Sequence, residues 1–208
     1  SAFAVPSLQK VGNAVRTPEG LVAGPRVEKK ASTAARVKAN AADGTQTMDW
    51  SYAGDPVSAY SLKNVKTGMT VYLAFKMSAE DATKLAGNKI TAINVTSGTS
   101  SSHTNIVKKV FPFISKDITK EEFDYKGSMA MGSKEFTVNT HTLTDPYEIK
   151  AGEELYIGYY FGFLSTMSSA YYMPVDMIPT EKGIESCIYG YSKMTDYPTN
   201  FENGSNEI

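Results

Sequence analysis

The chain has 208 residues, enough for one large domain or for one domain with a long extended arm, and its 21 Lys and Arg stand against 22 Asp and Glu for a formal charge of −1. That balance offers no global field to a polyanion, so nucleic acid is not expected as a partner. A single cysteine, Cys187, excludes an intrachain disulfide framework, and no run approaches the ~20 apolar residues of a membrane helix, so no membrane span is expected in this chain.

Residues 1–46 carry seven basic side chains (Lys10, Arg16, Arg26, Lys29, Lys30, Arg36, Lys38) against Glu19, Glu28 and Asp43, with Phe3 as their only aromatic. All thirteen tyrosines follow. So few apolar side chains cannot build a separate core, and the stretch reads as an extended basic arm or linker ahead of a β domain over 47–208. If ordered, it would lie along the domain, adding an edge strand through "SLQKVGNAV". The chain begins at Ser1 without Met and ends in "NFENGSNEI", which reads as a mature or engineered start, any signal peptide already removed, and a cut between modules.

"TMDWSYAGDP" brings the sole tryptophan, Trp50, close to Tyr52 and Asp55. Trp50 is either a plug entering the core or, with Tyr52 and the pair Tyr171 and Tyr172, part of a sugar-binding face. "MTVYLAFKM" alternates strictly: Met69, Val71, Leu73, Phe75 and Met77 share one face, and Thr70, Tyr72, Ala74 and Lys76 the other, as in a half-buried strand. "SAEDATKLAGNK" then predicts a short helix at about residues 78–87, capped by Ser78 with Asp81 at the third helical position and stopped by Gly87.

"KITAINVTSG" shifts its apolar set from Ile90 and Ala92 to Ile93 and Val95, which means a bulge or a strand covered on both faces. "ITKEEFDY" offers a further single helical turn, with Thr119 and Glu122 at capping-box spacing. "EFTVNTHTL" reads as a strand with Phe136 and Val138 inward and His141 outward. In "EELYIGYYFGF", Leu155, Ile157, Tyr159, Phe161 and Phe163 face the core, while Tyr156, Gly158, Tyr160 and Gly162 share the other side. That second set either covers a sheet surface or forms a platform of rings for a sugar or a protein. Short strands divided by Gly, Ser, Asn and Pro clusters make the expected fold all-β, an antiparallel β-sandwich of jelly-roll type with one short helix.

The bases available to a nucleophile are His103 and His141 and the one thiol is Cys187, which reads as a small apolar side chain; no catalytic motif accompanies them, and no enzyme activity is expected. Glu121–Glu122 and Glu153–Glu154 are adjacent pairs that a strand would point to opposite faces, so neither is an acid–base couple. No cofactor is expected unless calcium is bound, by loops at Asp176, Asp55 and Asp145 that could combine a carboxylate with backbone carbonyls.

"LAGNKITAINV", "YEIKAGEELYIGYYFGF", "YYMPVDM" and "EKGIESCIYG", in that order over about residues 50–200, resemble adhesin-like β-sandwich modules of Bacteroidetes surface and secreted proteins, relatives of the cleaved-adhesin, galactose-binding-like jelly rolls. The resemblance implies a non-catalytic, extracellular or cell-surface module of a larger protein, engaged in cell adhesion or carbohydrate binding. Its expected ligand is a glycan or a host or neighbouring surface protein, met by Trp50, Tyr52, Tyr156, Tyr160, Tyr171 and Tyr172. The other reading is a structural spacer or assembly subunit of a multidomain or fimbria-like surface protein.

Overall fold

The structure, a computed structural model, describes residues 9–11, 14–17, 20–23, 36–39, 46–50, 58–65, 69–96, 109–132, 137–162, 167–175, 187–193, 197 and 202–203. In chain order the strands are β1 (Gln9–Val11), β2 (Ala14–Thr17), β3 (Gly20–Ala23), β4 (Arg36–Ala39), β5 (Gln46–Asp49), β6 (Ser58–Val65) and β7 (Met69–Met77). After the helix α1 (Ala79–Leu85) come β8 (Lys89–Thr96), β9 (Lys109–Ser115), β10 (Tyr125–Lys126), β11 (Met129–Ala130), β12 (Val138–Glu148), β13 (Leu155–Gly162), β14 (Met167–Val175), β15 (Cys187–Lys193) and β16 (Glu202–Asn203). Every pairing among them is antiparallel. The protein is thus all-β with one short helix.

The largest sheet runs β10–β9–β13–β7–β15–β16, with β11 also paired to β9. Within the region expected as an arm, β1, β2 and β3 pair among themselves and β4 pairs with β5. β8 pairs with β12, and β6 with β14. Strand β13 has partners on both sides, Ile157 meeting Phe75 of β7 and Ile114 of β9. Its odd positions behave as the alternation requires: Leu155, Ile157 and Phe161 are buried with Val71, Leu73, Met77, Val110 and Ile114, and the half-buried Tyr159 packs against them. Ile93 and Val95 of β8, Leu143 of β12 and Ala82 of the helix join that cluster. At ~25 cal/mol per Å² of apolar surface removed from water, this is the main stabilising mass among the described residues.

The helix has the expected ends. The Ser78 hydroxyl accepts the Asp81 N–H at 3.1 Å, and Gly87 adopts φ 85°, a left-handed conformation that glycine reaches without a Cβ clash. The Gly87 N–H then donates to the Ile149 carbonyl at 3.0 Å, and the Ile149 N–H donates back to the Asn88 carbonyl at 3.0 Å, tying the helix end to the connection between β12 and β13.

Three local expectations change, and one, the irregularity at β8, is met. The second face of β7 is not solvent-facing: Thr70, Tyr72 and Ala74 are buried, because both sides of this central strand are covered. Strand β12 has the opposite parity to that expected. Leu143 is buried and His141 half-buried on one side, whereas Val138 is 56% exposed on the other. The apolar shift in β8 is met by a register irregularity in its partner, where Ala92 pairs with Thr142 but Ile90 with Tyr147. Finally, residues 118–121 make a turn, not a helix: Asp117 takes the capping role in place of Thr119, its carboxylate accepting both the Thr119 N–H and hydroxyl.

Candidate functional site

The even positions of β13 build the site. Register places Phe111 of β9 opposite Tyr160, Tyr160 opposite Tyr72 of β7, and Tyr72 opposite Gly190 of β15. One transverse row therefore carries three aromatic rings and ends on a residue without a side chain. The Phe111 and Tyr160 centroids are 4.7 Å apart at an interplanar angle of 16°, and Tyr160 and Tyr72 are 4.8 Å apart at 25°. These separations match the ~4.8 Å spacing of adjacent strands, so the rings stand side by side on edge, with both faces of the central Tyr160 occupied.

The rows on either side are low. Tyr160 is flanked by Gly158, opposite Ala74, and by Gly162, opposite Thr70 and then Ser192. Gly158 must be bare: a Cβ there would lie 2.6 Å from the Ala74 Cα and collide with the Leu73 carbonyl. The aromatic ridge is thus flanked by small residues on the β13–β7 side, and because Gly158, Ala74, Thr70 and Tyr72 are all buried, its accessible part lies at Phe111 and Tyr160. Farther along, fully buried Phe113 fills the space beside Gly158, its centroid 5.1 Å from the Phe123 ring.

The ridge is backed by residues from distant segments. Phe123 lies near-parallel to Tyr160 at 6.1 Å and 23°. Tyr197 meets Tyr72 edge-on at 5.2 Å and 78°, and donates its hydroxyl to the Ile118 carbonyl at 2.7 Å. Burial holds the Tyr72 and Tyr197 phenols above the ordinary tyrosine range. The neighbouring phenols and the Glu121 carboxylate add to the shift. Phe111, Phe123, Tyr156, Tyr160 and Tyr197 are all half-buried, so ring surface remains accessible.

Two ammonium groups overlie this aromatic surface. Lys109 Nζ sits 5.5 Å from the Phe111 centroid; Lys126 Nζ sits 5.5 Å from that of Phe123 and 5.9 Å from that of Tyr160. Among the described residues neither is salt-bridged to a carboxylate, unlike Lys76, whose ammonium lies 3.3 Å from Glu154. Cationic groups therefore lie over Phe111 and over Phe123 with Tyr160.

Of the residues expected to bind, Tyr156 and Tyr160 lie on this face. Trp50 does not: it packs against the main core with its ring 5.8 Å from Phe75, on the opposite face of the sheet. Tyr171 and Tyr172 fall in β14, Tyr171 opposite Ser61 and Tyr172 at a register shift, with their side chains outside the described residues, as are Tyr52, Asp55 and Asp176. Asp145 is exposed within the irregular stretch of β12, and among the described residues no group of three or more His, Cys, Asp or Glu gathers as a metal site. His141 pairs with the Tyr125 hydroxyl at 2.6 Å. Cys187 stands in register with Phe75, and His103 lies outside the described residues. Glu153 turns to the Tyr147 hydroxyl at 3.0 Å and to Lys116 at 3.6 Å, away from Glu154.

Phe111, Phe123, Tyr197, Lys109 and Lys126 were not singled out as site residues from sequence. The signal that reveals the first is "KVFPFIS", where Phe111 and Phe113 flank Pro112 at strand spacing. Among the described residues no helix is long and apolar enough to cross a membrane. Compared with protein-family models, with curated proteins and with solved structures, the chain gives no match.

Proposed function

We propose that the chain is a non-catalytic binding or adhesion module of a larger surface-exposed or secreted bacterial protein, and that its ligand meets the accessible rings of the aromatic ridge on β9 and β13. We further propose that its sheets form a jelly-roll sandwich akin to the cleaved-adhesin modules. The non-sequential order β9–β13–β7–β15, and the β8–β12 ribbon sharing a core with one face of that sheet, support this reading.

The observation that carries the functional reading is the pair of half-buried rings, Phe111 and Tyr160, at the accessible side of an otherwise buried aromatic row. Lys109 and Lys126 lie over these rings and, among the described residues, neither is salt-bridged to a carboxylate. A glycan array combined with a pull-down against bacterial and host surface proteins tests it. The native chain should give saturable binding that Phe111→Ala with Tyr156→Ala weakens at unchanged circular dichroism. Retention of full binding by that double variant would refute the assignment of the ridge as the site.

A further inference from the structure

We infer that the outer edge of β12, over residues 138–142, pairs antiparallel with the same edge of a second copy of this chain, about a twofold axis at Thr140. The contact is independent of the ring face. Among the described residues β8 occupies one edge of β12 and no strand occupies the other. A strand edge in that state presents a row of backbone N–H and C=O groups to any strand that approaches, and natural sheets blunt such rows with very short strands, lysine, proline or a bulge. Strands β10 and β16, which end the order of the largest sheet, have two residues each. Strand β12 has eleven, and its protecting features begin only past Thr142, with the register shift, Asp145 and Pro146. From Val138 to Thr142 its pairing with β8 is regular and contains neither lysine nor proline.

The side chains of that segment select the partner. Val138, Thr140 and Thr142 are exposed on one face, and Asn139 and His141 are half-buried on the other. The inner pair is anchored: the Asn139 amide donates to the Val95 carbonyl at 3.3 Å, and His141 meets the Tyr125 hydroxyl at 2.6 Å. The outer row is uncharged, and Val138 is the one large hydrophobic side chain exposed among the described residues. A twofold contact needs a patch complementary to itself. Pairing about Thr140 sets Val138 opposite the second copy's Thr142, Thr140 opposite its own equivalent, and Thr142 opposite the second copy's Val138. All three are pairs of β-branched residues, which suit a pleated surface, and no like charges oppose each other. The far edge of β8 is less open, since Ala92 and Thr96 of its outward row are half-buried.

Five residues a side bury far less than the roughly 800 Å² per partner of a stable interface, so the dimer is weak and forms with concentration.

The test is sedimentation velocity of the whole chain from about 10 to about 500 µM, a range that covers weak association. The inference expects a reversible shift from monomer toward dimer. Over the same range, amide hydrogen exchange within 138–142 should slow. Thr140→Lys and Thr140→Glu each set like charges opposite one another and should weaken association by about fivefold or more. Because Thr140 is exposed, both variants should keep the circular dichroism and melting temperature of the native chain. An equimolar mixture of the two should associate at least as well as the native chain, since unlike charges then face each other. A chain that stays monomeric throughout would overturn the inference. So would a dimer that Thr140→Lys leaves intact, or variants whose mixture fails to recover association. Protection of 138–142 that does not change with concentration would show the chain covering its own edge, and would overturn it as well. The exchange measurement needs no variant, so it decides even where a substitution prevents folding. None of these outcomes alters the reading of the Phe111 and Tyr160 rings as a binding face.

Discussion

Replacing Tyr160 by alanine probes the ridge at its centre. Tyr160 is sandwiched between Phe111 at 4.7 Å and Tyr72 at 4.8 Å, with Phe123 and Phe113 at 6.1 and 6.5 Å. Each close pair is worth ~0.5–1.5 kcal/mol beyond area burial. A fully buried Phe→Ala change costs ~3–5 kcal/mol, so a half-buried ring with two stacked neighbours should cost about 3 kcal/mol. For a chain of this size that is a fall in melting temperature of roughly 6–12 °C. Tyr160→Phe keeps both stacks and should stay within ~2 °C of native. In a double-mutant cycle, Phe111→Ala and Tyr160→Ala should show about 1 kcal/mol of coupling, because each removes the other's partner. Differential scanning calorimetry on the four proteins decides: a Tyr160→Ala shift under ~2 °C, or additivity with Phe111→Ala, would refute the stacked row as a cohesive element.

Gly158→Ala should be more damaging than its size suggests. The added Cβ meets the Leu73 carbonyl and the Ala74 Cα, backbone atoms that no rotamer change can move, and a loss of about 3 kcal/mol in denaturant unfolding is expected. Ser78→Ala deletes the acceptor for the Asp81 N–H and should cost about 1 kcal/mol by the same assay, with Ser78→Asn recovering most of it. Burial raises the Tyr72, Tyr197 and Tyr147 phenols, so the folded state holds these protons more tightly than the unfolded one. Their contribution is therefore complete below the unfolded tyrosine value of ~10 and is lost as pH rises through the raised folded values. Phenolate absorbance should accordingly show a group of tyrosines ionising late, together with unfolding; a single titration of all tyrosines near pH ~10 in the folded chain would contradict the burial.

Much of the β13 region was legible because its alternation is strict. Leu155, Ile157 and Phe161 reach the core at odd positions, and Tyr156 and Tyr160 share the other face, as period two requires. The helix was equally readable, since Ser78, Asp81 and Gly87 act through bonds within a few residues of one another. Strand β12 was not. Val138, Leu143 and Tyr147 sit five and four positions apart, a spacing no single parity satisfies. The register shift after Thr142 and the exposure of Val138 resolve the conflict only in three dimensions. The covered second face of β7 was hidden for a different reason. Part of its cover comes from Tyr197, whose hydroxyl reaches the Ile118 carbonyl across 79 residues of sequence. No local pattern encodes a contact of that range. Trp50 illustrates the remaining limit, since composition alone cannot say on which side of a sheet a ring will fall.

The density of rings in Tyr156–Gly158–Tyr160–Gly162 follows from two demands that one strand must meet together. As the central strand between β7 and β9, β13 needs close backbone approach at position 158, where Ala74 lies directly opposite and Phe113 fills the volume from the neighbouring strand. A ring at 158 would have to expel Phe113 from full burial. Glycine there releases space that only the adjacent positions can use, and aromatic side chains at 156 and 160 are large enough to lean across it. The same alternation that closes the core side with Ile157 and Phe161 therefore forces the opposite face into tall and low rows. Tyr72, Ala74 and Phe113 are buried in the cluster this creates, so accessible ring surface is confined to the margin of the row, at the half-buried Phe111 and Tyr160 with the two lysines over them.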